Sequence, residues 1–81
     1  MRLSFIDVVC AMRSGTKVKI NGNVKVESGV YIGNIASAII NGIEREDGSG
    51  RSWIVSLTTK YNGRGTIYWH EEKMPDMFES V

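Results

Sequence analysis

The chain is poor in the residues from which catalytic and metal sites are most often built. Its 81 residues include one cysteine, Cys10, and one histidine, His70. A structural zinc site needs four ligands, mostly cysteine and histidine, and the glycine patterns of phosphate-binding and dinucleotide-binding loops do not occur. His70 and Glu72 share one face of a predicted strand, but two such residues at a strand end are typical of a solvated surface. We therefore predict a protein that is not an enzyme and that has no catalytic residues, no metal and no cofactor.

The sequence also lacks disulfide-forming cysteines and long apolar runs. Cys10 cannot form a disulfide within the chain, whereas small secreted domains usually depend on several such bonds. No segment approaches the roughly 20 apolar residues of a membrane-spanning helix, and Asp7 interrupts the apolar N-terminus, which argues against a signal peptide. These absences predict a cytoplasmic protein without a membrane partner. A cysteine on an apolar helix is usually a small core residue, so Cys10 is not predicted to act as a nucleophile with His70 as its base.

A strong excess of charge of one sign is absent too. The formal net charge is +1, whereas most nucleic-acid-binding domains are far more basic. The charges are nevertheless uneven along the chain. Residues 1–30 carry five basic side chains against two acidic ones, and residues 71–81 carry four acidic side chains against one basic one. This gradient favours a mixed, solvated surface, with a local basic face as the alternative.

Turn-forming residues are abundant and divide the chain into alternating runs. They occur at Asn21–Asn23, Asp47–Gly50 and Asn62–Gly65. Asn-Gly and Asp-Gly reach positive φ at low cost and suit the tight turns of β-hairpins. Val18 and Ile20 alternate with lysines before the first cluster, and a similar alternation follows it. The pattern predicts an antiparallel meander whose clearest hairpin turns at Asn21–Asn23.

Further strands are predicted over residues 30–35, 36–46, 51–61 and 66–72, although residues 36–38 could instead begin a helical turn. Gly33 marks a bulge in the first of these, and Asn41-Gly42 marks a tight turn or a bulge in the second. In the last two, alternate side chains face the core. The predicted inward side chains are Trp53, Val55, Leu57, Ile67 and Trp69. Tyr68 and His70 are predicted to face outward.

Residues 3–15 predict a short helix with a defined beginning and end. Ser4 is the expected N-cap and Asp7 its capping-box partner, while Gly15 is expected to end the helix in a left-handed conformation. Its apolar stripe consists of Phe5, Val8, Val9 and Met12. A helix of this length is not stable alone in water, so we expect it to pack on the sheet.

Together these elements predict an α+β fold that is mostly β. The short N-terminal helix packs on a curled antiparallel meander of five or six strands, in the manner of a small SH3-like or OB-like barrel. We expect one domain over residues 1–72 and a tail over residues 73–81. The tail contains Met74, Met77 and Phe78 around Pro75; folding back on the body, docking on a partner and disorder are the alternatives for it.

Candidate binding residues come from the exposed aromatic, basic and acidic positions. Exposed tyrosines beside basic residues suit a protein partner or stacked bases of a nucleic acid, and they also stabilise sheets by plain cross-strand pairing. The acidic end is a second candidate surface that resembles nucleic-acid charge. The predicted aromatic and basic contacts are Tyr31, Tyr68, Lys17, Lys19 and Arg64. The predicted acidic contacts are Glu71, Glu72 and Asp76.

The order of these features resembles that of small accessory proteins of phages and other mobile elements. In both, a short amphipathic helix leads into a charged alternating strand, and strands such as Val30–Gly33, Trp53–Leu57 and Thr66–Trp69 follow. The resemblance implies a phage or mobile-element protein that acts as a stoichiometric inhibitor of bacterial defence, of the anti-CRISPR type, by binding a protein partner. A nucleic-acid-binding SH3-like or OB-like module and a nucleotide-sequestering oligomer are the alternatives. The oligomeric state stays open.

Overall fold

The computed structural model describes residues 1–46, 50–60 and 63–81, and in these residues it has one helix and five strands. Their bounds, in chain order, are α1 Phe5–Ser14, β1 Val18–Val26, β2 Tyr31–Arg45, β3 Ser52–Thr59, β4 Gly63–His70 and β5 Phe78–Ser80. The predicted turns at Asp47–Gly50 and Asn62–Gly65 lie partly outside the described residues. The strands on either side of them pair antiparallel, β2 with β3 and β3 with β4.

Four of the strands form a closed antiparallel barrel. The order is β2-β3-β4-β1, and a further pairing between β1 and β2 closes the ring. The short strand β5 is added beside β1, where Val18 pairs with Ser80 and Ile20 with Phe78. Closure removes much of the exposed edge that an open sheet would leave, although among the described residues β1 and β4 pair only at Lys25–Thr66 and Val26–Gly65. The predicted fold class, a mostly β small barrel with one short N-terminal helix, is therefore confirmed.

Helix α1 begins and ends at the predicted caps. The Ser4 backbone N–H donates to the Asp7 carboxylate at 3.0 Å, and the Asp7 N–H donates to the Ser4 hydroxyl at 3.3 Å, which is a complete capping box. Gly15 ends the helix at φ 69°, in the left-handed region. The ring of Phe5 stacks on that of Trp53, with centroids 4.4 Å apart. The cap hydrogen bonds define the ends of the helix, and the stacking of Phe5 on Trp53 holds it against the sheet.

The core lies inside the barrel and under the helix. Trp69 and Phe78 are its largest side chains, and their rings meet edge to face with centroids 4.9 Å apart. The Trp69 indole N–H donates to the backbone carbonyl of Met74 at 3.0 Å, so the buried ring leaves no unpaired donor. Val55, Leu57, Ile67 and Trp69 are buried as predicted, while Trp53 is half-buried.

The hairpin predicted at Asn21–Asn23 is wrong, because β1 continues through these residues as one strand. Its pairing with β2 shifts register between Ile20 and Asn23, so the Asn-Gly pair sits in a bulge rather than in a turn. The backbone N–H of Asn21 donates to the Met77 carbonyl at 2.8 Å, a tertiary bond that holds the strand extended there. The chain instead reverses at Gly29, whose φ is 87°.

Strand β2 is a single long strand, and Asn41-Gly42 forms a bulge in it. Its pairing with β3 shifts register between Ile40 and Gly42. At Gly33, a Cβ atom would lie 2.8 Å from the side-chain oxygen of Asn23, so a residue without a side chain lets the two strands approach here. Strand β4 begins at Gly63 and ends at His70, somewhat earlier than the predicted 66–72.

The segment predicted as a tail, residues 73–81, folds back on the barrel. Phe78 is fully buried and Met77 is buried with it. On its other side, β5 contacts the N-terminus: Leu3 N–H donates to the Phe78 carbonyl and Ser80 N–H to the Met1 carbonyl, both at 2.8–2.9 Å. Among the described residues there is no helix whose length and hydrophobicity would let it cross a membrane.

Candidate binding face

One outer face of the barrel carries a row of side chains from neighbouring strands. Lys25 of β1 lies directly opposite Tyr31 of β2 and opposite Thr66 of β4. Thr66 in turn lies opposite Ser56 of β3. Residues directly opposite each other point to the same face of a sheet, with Cβ atoms about 5 Å apart. Closure of the barrel thus sets one tyrosine, one lysine and two hydroxyls side by side.

Two further pairs extend this row on either side. Ile54 lies opposite Tyr68, and Thr58 lies opposite Arg64. Three apolar side chains are notably open to solvent: Tyr31 is 64%, Tyr68 43% and Ile54 38% exposed. The Tyr68 hydroxyl donates to the Ser52 hydroxyl at 3.0 Å, which fixes the orientation of its ring on the sheet.

The exposed tyrosines border a shallow depression of about 420 Å³, which we call the tyrosine groove. Its walls include Tyr31, Ile54 and Tyr68, and its floor includes Met74 and Met77. Lys25 and Glu46 also line the groove and supply one charge of each sign. Methionine side chains are flexible and polarizable, so this floor can adjust to the shape of a ligand.

A second depression of about 650 Å³ adjoins the groove, and we call it the basic depression. Lys25 and Thr66 line both, so the two form one continuous surface. Within residues 1–46, 50–60 and 63–81, neither Lys25 nor Arg64 has an acidic partner at ion-pair distance, although Glu27 lines the same depression. The other polar groups of the depression are Asn41, Ser56 and Thr58.

The structure places two of the predicted basic residues elsewhere. The Lys19 ammonium forms an ion pair with Glu79 of β5 at 3.6 Å. Lys17 precedes β1 and lines a different depression, beside helix α1, together with Cys10 and Val81. Of the five predicted aromatic and basic contacts, the binding face therefore unites Tyr31, Tyr68 and Arg64, while the two lysines belong to another side of the barrel.

The predicted acidic residues are all engaged by neighbouring side chains. Glu71 accepts a hydrogen bond from the indole N–H of Trp53 at 2.7 Å. Glu72 forms an ion pair with Arg51 at 3.1 Å, and Asp76 forms one with Arg2 at 3.3 Å. Exposed pairs of this kind contribute little to stability, but each cation cancels charge locally. This end of the molecule is consequently less acidic than its sequence alone implies.

The residues considered for catalysis or metal binding have structural contacts. His70 Nδ1 accepts hydrogen bonds from the backbone N–H groups of Glu72 and Lys73, at 3.2 and 3.1 Å, and so holds the turn that follows β4. In the part of the chain that the structure describes, no three His, Cys, Asp or Glu side chains are grouped to hold a metal ion.

Cys10 is exposed, and the prediction of a core position for it is wrong. The helix buries Val8 and Ala11. Cys10 is two residues after Val8, which turns its side chain by about 200° around the helix axis. The side chain is therefore turned away from Val8 and lines the solvent-open depression that it shares with Lys17 and Val81.

Two carboxylates have altered acidity for local reasons. The pKa of Asp7 lies below its usual value, chiefly because the backbone N–H of Ser4 stabilises the ionised form and secondarily through the Ser4 hydroxyl. The pKa of Glu79 is also lowered, first by a hydrogen bond from Asn21 and to a smaller extent by Lys19. Both carboxylates are structural, at the helix cap and beside β5 respectively.

The sequence predicts the exposed tyrosines and places them beside basic residues, but it does not single out Lys25 among the lysines as their neighbour. It assigns Met74 and Met77 only to the tail. The sequence gives little indication of these neighbours because the groove is formed by strands that are distant along the chain. The pairing of β1 with β4 joins residues about forty positions apart. The chain matches no protein-family model, no curated protein and no solved structure.

Proposed function

We propose that the protein is a non-enzymatic binding domain that acts by stoichiometric binding of a protein partner through the tyrosine groove. The observation that supports this most directly is the cluster of Tyr31, Ile54 and Tyr68, three exposed apolar side chains on adjoining strands. Single exposed apolar residues are normal, but a contiguous patch with a polar rim is typical of an interaction site. Tyrosine is also among the residues that contribute most to protein interfaces.

The rim of the groove favours a protein as the partner. Lys25 and Glu46 present opposite charges at the same depression, and the net charge of the chain is only +1. Mixed charge of this kind gives orientation and specificity between proteins. The adaptable methionine floor adds apolar contact without requiring one exact shape.

The resemblance to phage and mobile-element accessory proteins extends the proposal to the kind of partner. We propose a bacterial defence complex, of the type that anti-CRISPR proteins inhibit, and the cytoplasm as the compartment. The resemblance supports the partner class, and the single cysteine, which has no partner for a disulfide within the chain, supports the reducing compartment.

Capture from bacterial lysates with matched variants tests the proposal. The wild-type protein is immobilised beside the double variant Tyr31→Ala/Tyr68→Ala and the control Ile6→Ala, which removes an exposed apolar side chain from helix α1. Circular dichroism establishes that all three are folded. We expect a partner at stoichiometric yield with the wild type and the control, and its loss with the double variant. Equal capture by all three, or no stoichiometric partner at all, contradicts the proposal.

A second candidate function, binding of single-stranded nucleic acid, is favoured by the basic depression. Lys25 and Arg64 lie there without acidic partners among the described residues, next to the two exposed tyrosines. Proteins of this class bind phosphates with basic side chains and stack bases on aromatic rings. If Lys25 and Arg64 each neutralise one phosphate, the logarithm of affinity should fall with the logarithm of salt concentration with a slope of about −1.4.

Fluorescence anisotropy with an oligothymidine separates the two candidates. If nucleic acid is the ligand, affinity falls with that slope between about 50 and about 200 mM salt, and Lys25→Ala/Arg64→Ala abolishes binding. The variant Lys17→Ala, on another side of the barrel, serves as the control for a general loss of charge. No binding at the lowest salt concentration removes this candidate.

A further inference from the structure

The outer edge of β1 has two different partners along its length. In its first half, β1 pairs with β5 through Val18–Ile20, and Asn21 N–H still donates to the Met77 carbonyl. In its second half it pairs with β4 through Lys25 and Val26, and Glu27 N–H donates to the Arg64 carbonyl. Between these two regions β1 and β4 move apart, and the described pairing between them ends at Lys25–Thr66.

The main chain of Tyr68 faces the gap that this divergence leaves. The carbonyls of Arg64 and His70 both accept hydrogen bonds on the side of β4 away from β3, from Glu27 and Met74 respectively. Successive residues of a strand direct their N–H and C=O groups to opposite sides. Tyr68 lies four residues after Arg64 and two before His70, so its N–H and C=O point to the same side of β4 as theirs. That side opens on the tyrosine groove.

The gap is lined by apolar side chains at its base. Met77 packs so closely on β1 that its sulfur would lie 2.7 Å from a Cβ atom on Gly22. Ile67 and Met74 complete the base. The groove therefore offers a strand edge above an apolar floor, and Lys25 stands at one end of it without an acidic partner among the described residues.

We propose that the partner enters the tyrosine groove as an extended peptide strand that pairs with the main chain of Tyr68 and places an acidic residue beside Lys25. Addition of a strand to an open edge obtains affinity from main-chain hydrogen bonds and specificity from alternate side chains. Apolar side chains of the peptide cover Met74 and Met77, and its intervening side chains face solvent. The inference rests on the proposed function, because it describes how a protein partner uses the same groove.

A displayed library of random linear peptides, selected on the immobilised wild-type protein, provides the probe. We expect selected peptides to alternate apolar residues and to carry an acidic residue at one end. The variant Lys25→Glu is expected to weaken their binding about tenfold or more, which corresponds to about 1.4 kcal/mol. The control Lys17→Glu, outside the groove, is expected to leave binding unchanged.

Methylation of single peptide nitrogens tests the strand pairing itself. In an added strand, alternate N–H groups point to the protein and the others point away. Thr66 and the His70 carbonyl already have partners in β1 and Met74, so we expect methylation to abolish binding at one position, the residue opposite Tyr68, and to be tolerated at its two neighbours, whose N–H groups point away. Hydrogen exchange at the Tyr68 amide should slow at least tenfold in the complex. A methylation profile without such a single sensitive position, an unprotected Tyr68 amide, or a library without groove-binding peptides would overturn the proposal.

The two proposals fail in different ways. If a partner or peptide needs the side chains of Tyr31 and Tyr68 but has no position that is sensitive to N-methylation, strand pairing is refuted and the proposed binding function stands. If capture is insensitive to both tyrosines, the groove is not the binding site and both proposals fall.

Discussion

Replacement of Phe78 by alanine tests whether the C-terminal segment belongs to the core. Phe78 is fully buried, and its ring meets the ring of Trp69 edge to face at 4.9 Å. Burial of such a side chain contributes about 1.5–3 kcal/mol, and the aromatic pair adds about 0.5–1.5 kcal/mol. The cavity that alanine leaves brings the expected loss to about 3–5 kcal/mol.

That loss is large for a domain of this size. At about 0.05–0.15 kcal/mol per residue, the free energy of unfolding of the whole chain is about 4–12 kcal/mol. Urea unfolding, followed by tryptophan fluorescence and circular dichroism, measures the difference. With a slope of about 1 kcal/mol per M, Phe78→Ala should lower the midpoint by about 3–5 M or leave the protein unfolded without urea.

Two further variants keep the experiment decisive if Phe78→Ala does not fold. Phe78→Leu retains apolar volume and loses chiefly the ring contact, so we expect a loss of about 0.5–1.5 kcal/mol. Val81→Ala removes a side chain that is 77% exposed and should change stability by less than about 0.5 kcal/mol. If Phe78→Ala costs no more than Val81→Ala, β5 does not anchor the fold and the reasoning fails.

Three other predictions concern the glycines and the helix cap. Gly15→Ala should cost about 1 kcal/mol or more because φ is 69° there, whereas Gly42→Ala, where no atom lies within 4 Å of the added Cβ, should cost less than about 0.5 kcal/mol in the same urea assay. Gly65→Ala should cost about 1–3 kcal/mol by overpacking, since its Cβ would lie 2.6 Å from a buried side chain on β1, and thermal unfolding will measure this. The folded-state pKa of Asp7 lies below its usual 3.8, so its stabilising contribution is present above that value and is lost as pH falls through the lower one. Asp7→Asn, which removes the titrating carboxylate, should therefore reduce stability at neutral pH and flatten its decline on acidification, and a wild-type acid dependence in this variant would show that Asp7 is not the group responsible.

Features that depend on near neighbours could be predicted from the sequence. The caps of α1 involve Ser4, Asp7 and Gly15, and each acts within four residues of the helix end it defines. The inward positions of Ile67 and Trp69 follow from simple alternation along one strand. Such signals act locally, so they persist whatever the rest of the barrel does.

Features that depend on contacts between residues distant in sequence could not be predicted in this way. Asn21-Gly22 suits a hairpin turn, but it suits a bulge equally well, and only the bond from Asn21 to Met77 shows which is realised. In the same way, Tyr31 and Tyr68 could be recognised as exposed. Their place beside Lys25 depends on a closed ring of strands, and no pattern within one strand encodes that closure.

The division of the outer edge of β1 between β4 and β5 has a consequence for the order of folding. Strand β1 is synthesised before the other strands of the barrel and is hydrogen-bonded to β2, β4 and β5, of which β5 lies at residues 78–80. In a nascent chain without those residues, half of that edge is unpaired and Trp69 lacks its edge-to-face contact with Phe78. Contacts between residues far apart in sequence slow folding, so we expect the barrel to form in one late, concerted step once the C-terminal residues have emerged.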